Sequence, residues 1–184
     1  MTLIGPSLAL EAKIRRLVAS NGSIPGELLT DFKSRGEIVR LLAELTKQFE
    51  DFDYIAAVDG AVVGVFAGHL ADTLRKPLIL VRRGERSEPF SSSVALNGKK
   101  ILLLDDVLLS GDTMSFAASR IRNEGKGKLV GALVIENNDM TSKKRRNLGF
   151  AVGCVFKRSD FAYARLHPSK RVTLPALIEW ASYT

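Results

Sequence analysis

Two adjacent carboxylates, Asp105 and Asp106, follow an unbroken apolar run, Ile101 to Leu104, and precede the small polar run Ser110-Gly111-Asp112-Thr113. Ionised carboxylates only accept hydrogen bonds, so a pair of them suits the paired hydroxyls of a ribose. The polar run opens a helical pattern from Met114, and the free N–H groups and macrodipole of a helix start favour a phosphate. Ser110 and Thr113 add hydroxyl donors, and Gly111 permits close backbone approach. The spacing therefore suits a ligand that carries both hydroxyls and a phosphate. The plainer reading, a strand-end turn that merely caps a helix, fits an isolated Asp-Asp pair better than it fits this whole sequence of features.

Asp112 works against a phosphate. A carboxylate about 6 Å from a phosphate dianion costs on the order of 1–3 kcal/mol per phosphate charge. That is tolerable if the side chain faces solvent or caps the helix. Two other places combine strand-end position with suitable chemistry: the turn Asp59-Gly60-Ala61 and the arginine-rich run Arg82–Arg86.

The elements that must position these residues are legible in the apolar periodicity. Leu8, Ile14, Leu17 and Val18 predict a helix over Ser7–Ser20. Asn21–Leu29, with Gly22, Pro25 and Gly26, reads as a loop. Ser34 and Glu37 form a capping-box pattern before a helix with Ile38, Leu41, Leu42, Leu45 and Phe49 on one face. Tyr54–Val58 predicts a strand, Val62–Leu74 a helix closed by Lys76-Pro77, and Leu78–Val81 a strand. Arg82–Ser93 is polar and reads either as a solvated loop or as a functional one. Val94–Leu96 suggests a small strand. Beyond the acids come a helix over Met114–Arg122, a strand over Leu129–Ile135 and a short basic helix over Thr141–Leu148. A strand over Ala151–Phe156 and a helix over Leu174–Ala181, capped by Thr173, complete the chain. The alternation of helix and strand is that of a parallel α/β sheet, where ligands bind outside the carboxyl ends of the strands.

The 184 residues suit a single domain, 46% hydrophobic and 26% charged, with no repeat or low-complexity tract. No apolar run reaches the roughly 18–20 residues of a membrane span, and the N-terminus carries no signal-peptide pattern. The single cysteine, Cys154, excludes an internal disulfide and predicts a reducing, cytoplasmic setting. The formal charge of +7 favours polyanionic partners, nucleic acid or a phosphate-rich small molecule, or marks a basic surface with no specific partner.

The stretch ILLLDDVLLSGDT, residues 101–113, resembles the phosphoribosyl-pyrophosphate (PRPP) signature of the type I phosphoribosyltransferases. Leu109 stands where that family usually has Thr or Ala, and Asp112 where it has Gly. The surrounding order of elements fits as well, so the resemblance covers most of the chain. Within the family the chain is most similar to orotate phosphoribosyltransferases. Thr30-Asp31-Phe32-Lys33 resembles their early element, and Val81-Arg82-Arg83-Gly84-Glu85-Arg86 resembles the opening of their mobile catalytic loop. Four departures stand out: Ala61 in place of Lys or Gly, Glu88 in place of His, Asn137 near the place of the Arg that holds the orotate carboxylate, and no Ser-Pro-Tyr-Tyr-like segment beside Ser23-Ile24-Pro25.

The resemblance implies a central, mostly parallel sheet flanked by helices, with a small N-terminal hood built from about residues 1–33 and the C-terminal tail. It implies transfer of the ribose 5-phosphate group of PRPP to a nitrogen base with release of pyrophosphate, orotate giving orotidine 5'-monophosphate. Asp105, Asp106, Arg83 and Arg86 would then be catalytic. PRPP would be held by Asp59, Gly60 and Ala61, by Arg82, Arg83 and Arg86, by Asp105 and Asp106, and by Val107, Leu108, Leu109, Ser110, Gly111, Asp112 and Thr113. Lys33, Leu109 and Asn137 would face the base. Mg²⁺ would arrive through PRPP with no firm protein ligand, and a homodimer would share the mobile loop between subunits. Nucleic acid and membrane are not expected partners. The alternatives are a purine phosphoribosyltransferase, its base site helped by Lys157–Arg171, and a non-catalytic PRPP-sensing regulator that binds nucleic acid.

Other polar residues have plainer readings. His69 reads as a packed or polar-face residue, His167 as part of a basic tail loop, and Lys143-Lys144-Arg145-Arg146 as a solvated helix face. Trp180 and Tyr183 read as packing or dimer-contact residues.

Overall fold

The apolar runs become the strands of one sheet. The computed structural model describes residues 6–20, 24–84, 88–91, 93–140, 147–161 and 178–179. Its elements are α1 (Leu8–Ala19), α2 (Ile24–Thr30), α3 (Phe32–Thr46), β1 (Tyr54–Val58), α4 (Ala61–Leu74) and β2 (Leu78–Val81). They continue as β3 (Lys100–Leu108), α5 (Asp112–Asn123), β4 (Lys128–Asn137), β5 (Val152–Lys157) and β6 (Ile178–Glu179). The strands lie in the order β2-β1-β3-β4-β5-β6. β1 to β5 are parallel, and β6 runs antiparallel to β5.

Both faces of the sheet are covered, as a parallel sheet requires. Leu102 and Leu104 of β3 pack with residues of α1 to α4 on one face, while Ile101 and Leu103 pack with Met114, Ala117 and Ile121 of α5 on the other. This alternation follows from the two-residue period of a strand. After β1 the chain crosses to β2 on one side, then returns to β3 on the other. The crevice of this switch point therefore opens at the carboxyl ends of β1 and β3.

The boundaries Tyr54–Val58 and Leu78–Val81 are as the sequence predicts. Helix α4 closes where expected, with Arg75 in the left-handed region at φ 51° and the Lys76 amide donating to Ala71. Other expectations need correction. Ile24–Thr30 is a helix rather than loop, because Pro25 falls in its first turn, where no backbone N–H partner is needed. The capping box is not formed. Asp31 caps α3 by accepting from the Lys33 amide, and the Ser34 hydroxyl donates to the Asp31 carboxylate. Glu37 instead accepts from the backbone and hydroxyl of Ser7. Phe49 lies just beyond the end of α3 rather than on it.

Val94–Leu96 is not a strand. Part of Arg82–Ser93 folds back on β2: the Arg82 amide donates to Pro89 O, the Ser91 amide donates to Leu80 O, and Phe90 is buried on the α5 side. Of the predicted Thr141–Leu148 helix, 141–146 lie outside the described residues and Asn147-Leu148 are not helical. Ile178–Glu179 form β6 rather than a helix, and the rest of Leu174–Ala181 lies outside the described residues. A bulge between β3 and β4 leaves Val130 unpaired, beside Gly131. A Cβ at Gly131 would run into the Phe49 ring, so the ring seats only against a bare backbone.

Candidate active site

Strand register brings three of the sequence's candidate segments to one level. Ala57 pairs with Leu104, and Val58 pairs with Val81. Asp59 and Arg82 thus leave the sheet at the level of the acid pair. The Asp59 amide donates to Val81 O at 2.9 Å, which ties the Asp59 turn to the root of the arginine-rich segment. Gly60 caps α4 in extended backbone, and Ala61 opens the helix exposed.

The acids do not follow β3; they belong to it. The strand continues through Asp105 and Asp106 to Leu108, with Asp105 paired to Val134, Val107 to Glu136 and Leu108 to Asn137. Asp105 is 5% exposed. Its Oδ1 accepts from the Asp106 amide at 3.0 Å, and Asp106 Oδ1 accepts from the Val107 amide at 2.9 Å. Burial, then the neighbouring Asp106 carboxylate, pushes the Asp105 pKa up to about 7, while Arg83 draws it down. Asp105 is a carboxyl group held near neutrality, short of cations.

Gly111 is the N-cap of α5, with φ 84°. A Cβ there would lie 3.1 Å from Leu148 Cδ2, so conformation and space both require glycine. Asp112 is exposed in the first turn, and the Ser110 hydroxyl donates to its Oδ2 at 2.6 Å. The carboxylate that works against a phosphate faces solvent, but it takes the Ser110 hydroxyl expected to serve the ligand. Thr113 is half-buried and Leu109 is 40% exposed.

Lys33 is exposed in the first turn of α3. The chain just beyond that helix reaches the amino ends of the strands, where Glu50 bonds Lys100 and Lys128. Fifteen helical residues, roughly 22 Å, thus carry Lys33 back toward the carboxyl ends. Asn137 is 4% exposed at the end of β4. Arg86, His167, Trp180, Tyr183 and 143–146 lie outside the described residues, and His69 is exposed on α4.

Sequence reasoning missed Glu136 and Arg158. Glu136 is 1% exposed, and its Oε1 accepts from Arg158 Nε at 2.5 Å. Burial raises its pKa, Arg158 opposes that rise, and Asp106 adds to it. The signal for Glu136 is an acid at the end of the apolar run Ala132–Ile135, the same pattern that marks Asp105. Arg158 had no local signal, since its pairing depends on the register of β4 against β5.

A buried strand that delivers two acids, a glycine-capped helix N-terminus beside them and an arginine-rich return at the same level can hold a phosphorylated sugar. No family model matches the chain. Over 125 residues it is 26% identical to the orotate phosphoribosyltransferase of Methanospirillum hungatei, covering 66% of this chain and 71% of that one. It is 31% identical over 122 residues to the bifunctional protein pyrR of Enterococcus faecalis (65% and 61%). It is 30% identical over 109 residues to the adenine phosphoribosyltransferase of Treponema denticola (49% and 56%). Among solved structures, Mycobacterium tuberculosis orotate phosphoribosyltransferase in complex with PRPP superposes with a TM-score of 0.62 at 18% identity, covering 84% of this chain and 97% of that one. The fold is that of the type I phosphoribosyltransferases. Within that class the chain is most like the orotate phosphoribosyltransferases.

Proposed function

We propose that this chain is a PRPP-dependent phosphoribosyltransferase that transfers ribose 5-phosphate to a nitrogen base, with orotate as the base. The observation that carries the reading is the buried Asp105 and its neighbour Asp106 running directly into the Gly111-capped start of α5. As the base nitrogen attacks C1 and pyrophosphate departs, positive charge develops on the ribose. Ionised Asp105 and Asp106 accept hydrogen bonds from the ribose hydroxyls and favour that charge electrostatically. The Ser110–Thr113 amides receive the 5-phosphate. Arg82, Arg83, Arg86 and the Asp59-Gly60-Ala61 turn hold the pyrophosphate; arginine supplies charge and paired donors but no proton at neutral pH. Val107, Leu108 and Leu109 form the floor between acids and phosphate turn, and Lys33, Leu109 and Asn137 face the base.

Among the described residues no group of three His, Cys, Asp or Glu could hold a metal alone. Asp105 and Asp106 nonetheless suit Mg²⁺ carried in on PRPP, since carboxylate oxygens are the hard donors this ion takes. Bound there, the ion would neutralise the leaving pyrophosphate. The reading extends to one domain, a homodimer that shares the loop from Arg82, and a cytoplasmic setting. Among the described residues no helix is long and apolar enough to cross a membrane.

The adenine enzyme and pyrR relatives, together with Asn137 in place of an arginine, favour a second reading with a purine base, or PRPP sensing without turnover. One panel tests all three. The protein is incubated with PRPP, Mg²⁺ and each of orotate, adenine, guanine and hypoxanthine, and pyrophosphate and nucleotide are measured. Orotate turnover alone is expected. Turnover of a purine alone replaces the base assignment, and tight PRPP binding without turnover supports the regulator.

A further inference from the structure

Helix α5 carries an arginine that its phosphate-facing start does not use. Arg120 lies two turns along the helix and is 8% exposed. Its Nη1 donates to Arg82 O at 3.0 Å and its Nη2 to Gly84 O at 2.7 Å. Nε pairs with Glu124 Oε1 at 3.1 Å, and the guanidinium lies 5.3 Å from the centre of the Phe116 ring. The two carbonyls flank Arg83, so one planar fork grips the chain on both sides of that residue. Gly84 completes the bend at φ 112°, in the region that favours glycine.

We propose that Arg120 is a positioning residue that fixes the backbone around Arg83 and so aims the Arg83 guanidinium at the acid pair. A buried guanidinium is costly unless its donors are satisfied. Here two of its three nitrogens direct their bonds to carbonyls of the segment that leaves β2. The same helix begins at the phosphate turn Gly111–Thr113, so Arg120 makes one rigid body of that turn and the root of the arginine-rich segment. Arg83 is exposed two residues beyond Val81, whose partner Val58 lies at the level of the acid pair, and its charge draws the Asp105 carboxyl down against burial. Because the clamp holds backbone, it leaves the Arg83 side chain itself available to a ligand.

The inference rests on the proposed function for its ligand but not for its geometry, and the test separates the two. Affinity for PRPP with Mg²⁺ is measured by calorimetry for wild type, Arg120→Met, Arg83→Met and the double variant. Arg120→Met is expected to weaken binding about tenfold, and under about twofold where Arg83 is already methionine. An equal loss in both backgrounds overturns the proposal. Arg120→Lys, a point charge that reaches one carbonyl, is expected to recover part of the affinity. Backbone hydrogen exchange gives a readout without ligand: in Arg120→Met, exchange at Arg82–Gly84 is expected to quicken about tenfold or more while β3 is unchanged. Unchanged exchange at Arg82–Gly84 overturns the clamp. If Arg120→Met does not fold, Glu124→Ala, which removes the acceptor of Nε alone, is expected to give the same pattern at smaller amplitude, and its absence counts against the proposal. If wild type fails to bind PRPP, the proposed function falls while the exchange result still decides the clamp.

Discussion

The two ends of the same parallel strands treat their acids in opposite ways. At the amino ends, Glu50 is exposed and pairs with Lys100 at 2.6 Å and Lys128 at 3.3 Å, and Asp53 accepts from the Lys100 amide at 2.8 Å. Hydrogen bonds from Lys100 and Lys128 hold the Glu50 carboxyl below its usual range. At the carboxyl ends, Asp105 and Glu136 are buried and both carboxyls are pushed upward, by burial above all and by the neighbouring Asp106 as well. One end uses its charges to satisfy one another. The other gathers buried acids, of which Glu136 has Arg158 while Asp105 is raised by burial and by Asp106, and such displaced groups cluster where ligands bind.

The strongest way to break this contrast is to remove the acid pair at the carboxyl ends. Asp105→Asn with Asp106→Asn is expected to abolish PRPP binding in calorimetry while the circular dichroism spectrum stays native. Asp105→Asn alone is expected to lower kcat/KM about 10²-fold or more. Unchanged binding in the double variant would falsify the site.

Glu136 sharpens the comparison, because of Asp105, Asp106 and Glu136 it is the one that an arginine bonds directly among the described residues. Arg158→Met would strand that buried carboxylate, and removing one partner of a buried pair is strongly destabilising. A loss of about 3 kcal/mol is expected in urea unfolding. Replacing both partners by methionine should cost far less, since neither charge is then left unpaired. If Arg158→Met is neutral, the pair does not hold the β4–β5 end together.

The scaffold was more legible than the satisfied interactions within it. The strand of Ile101–Leu104, the acids and the glycine turn are local features, and apolar periodicity fixes which faces they serve. The Ser34–Glu37 capping box failed because Glu37 meets Ser7, thirty residues away in sequence, and because Asp31 is the better-placed cap. Nothing in the local pattern marks Arg158 or Arg120. Their partners come from strand register and from the Arg82 fold-back, which no local spacing encodes. The loop assigned to Asn21–Leu29 failed for a different reason: proline is a breaker inside a helix but a good fit in the first turn of Ile24–Thr30.

Stability as a function of pH should show the same asymmetry at lower amplitude. The folded protein holds the Asp105 proton more tightly than the unfolded chain, with a pKa of about 7 against 3.8. Its contribution is therefore favourable below about pH 4, is lost as pH rises toward 7, and stays lost above that. Asp105→Asn removes this slope and is expected to raise stability at pH 8 by about 1–3 kcal/mol, read as urea midpoints at pH 5 and pH 8. A variant less stable than wild type at pH 8 would mean that Asp105 is not a destabilised acid.

The smallest effect is expected at the other end of the strands. Glu50→Gln breaks two lysine pairs, yet all three side chains are substantially exposed, and exposed pairs contribute little once salt screens them. The sign is opposite to that of Asp105: a carboxyl held low stabilises above its unfolded pKa and loses that contribution as pH falls through the folded value. Glu50→Gln should therefore leave PRPP affinity unchanged and lower the melting temperature slightly at neutral pH, with the difference vanishing in about 1 M salt or at about pH 3. A Glu50→Gln protein that loses PRPP affinity would place ligand chemistry at both ends of the sheet and dissolve the contrast.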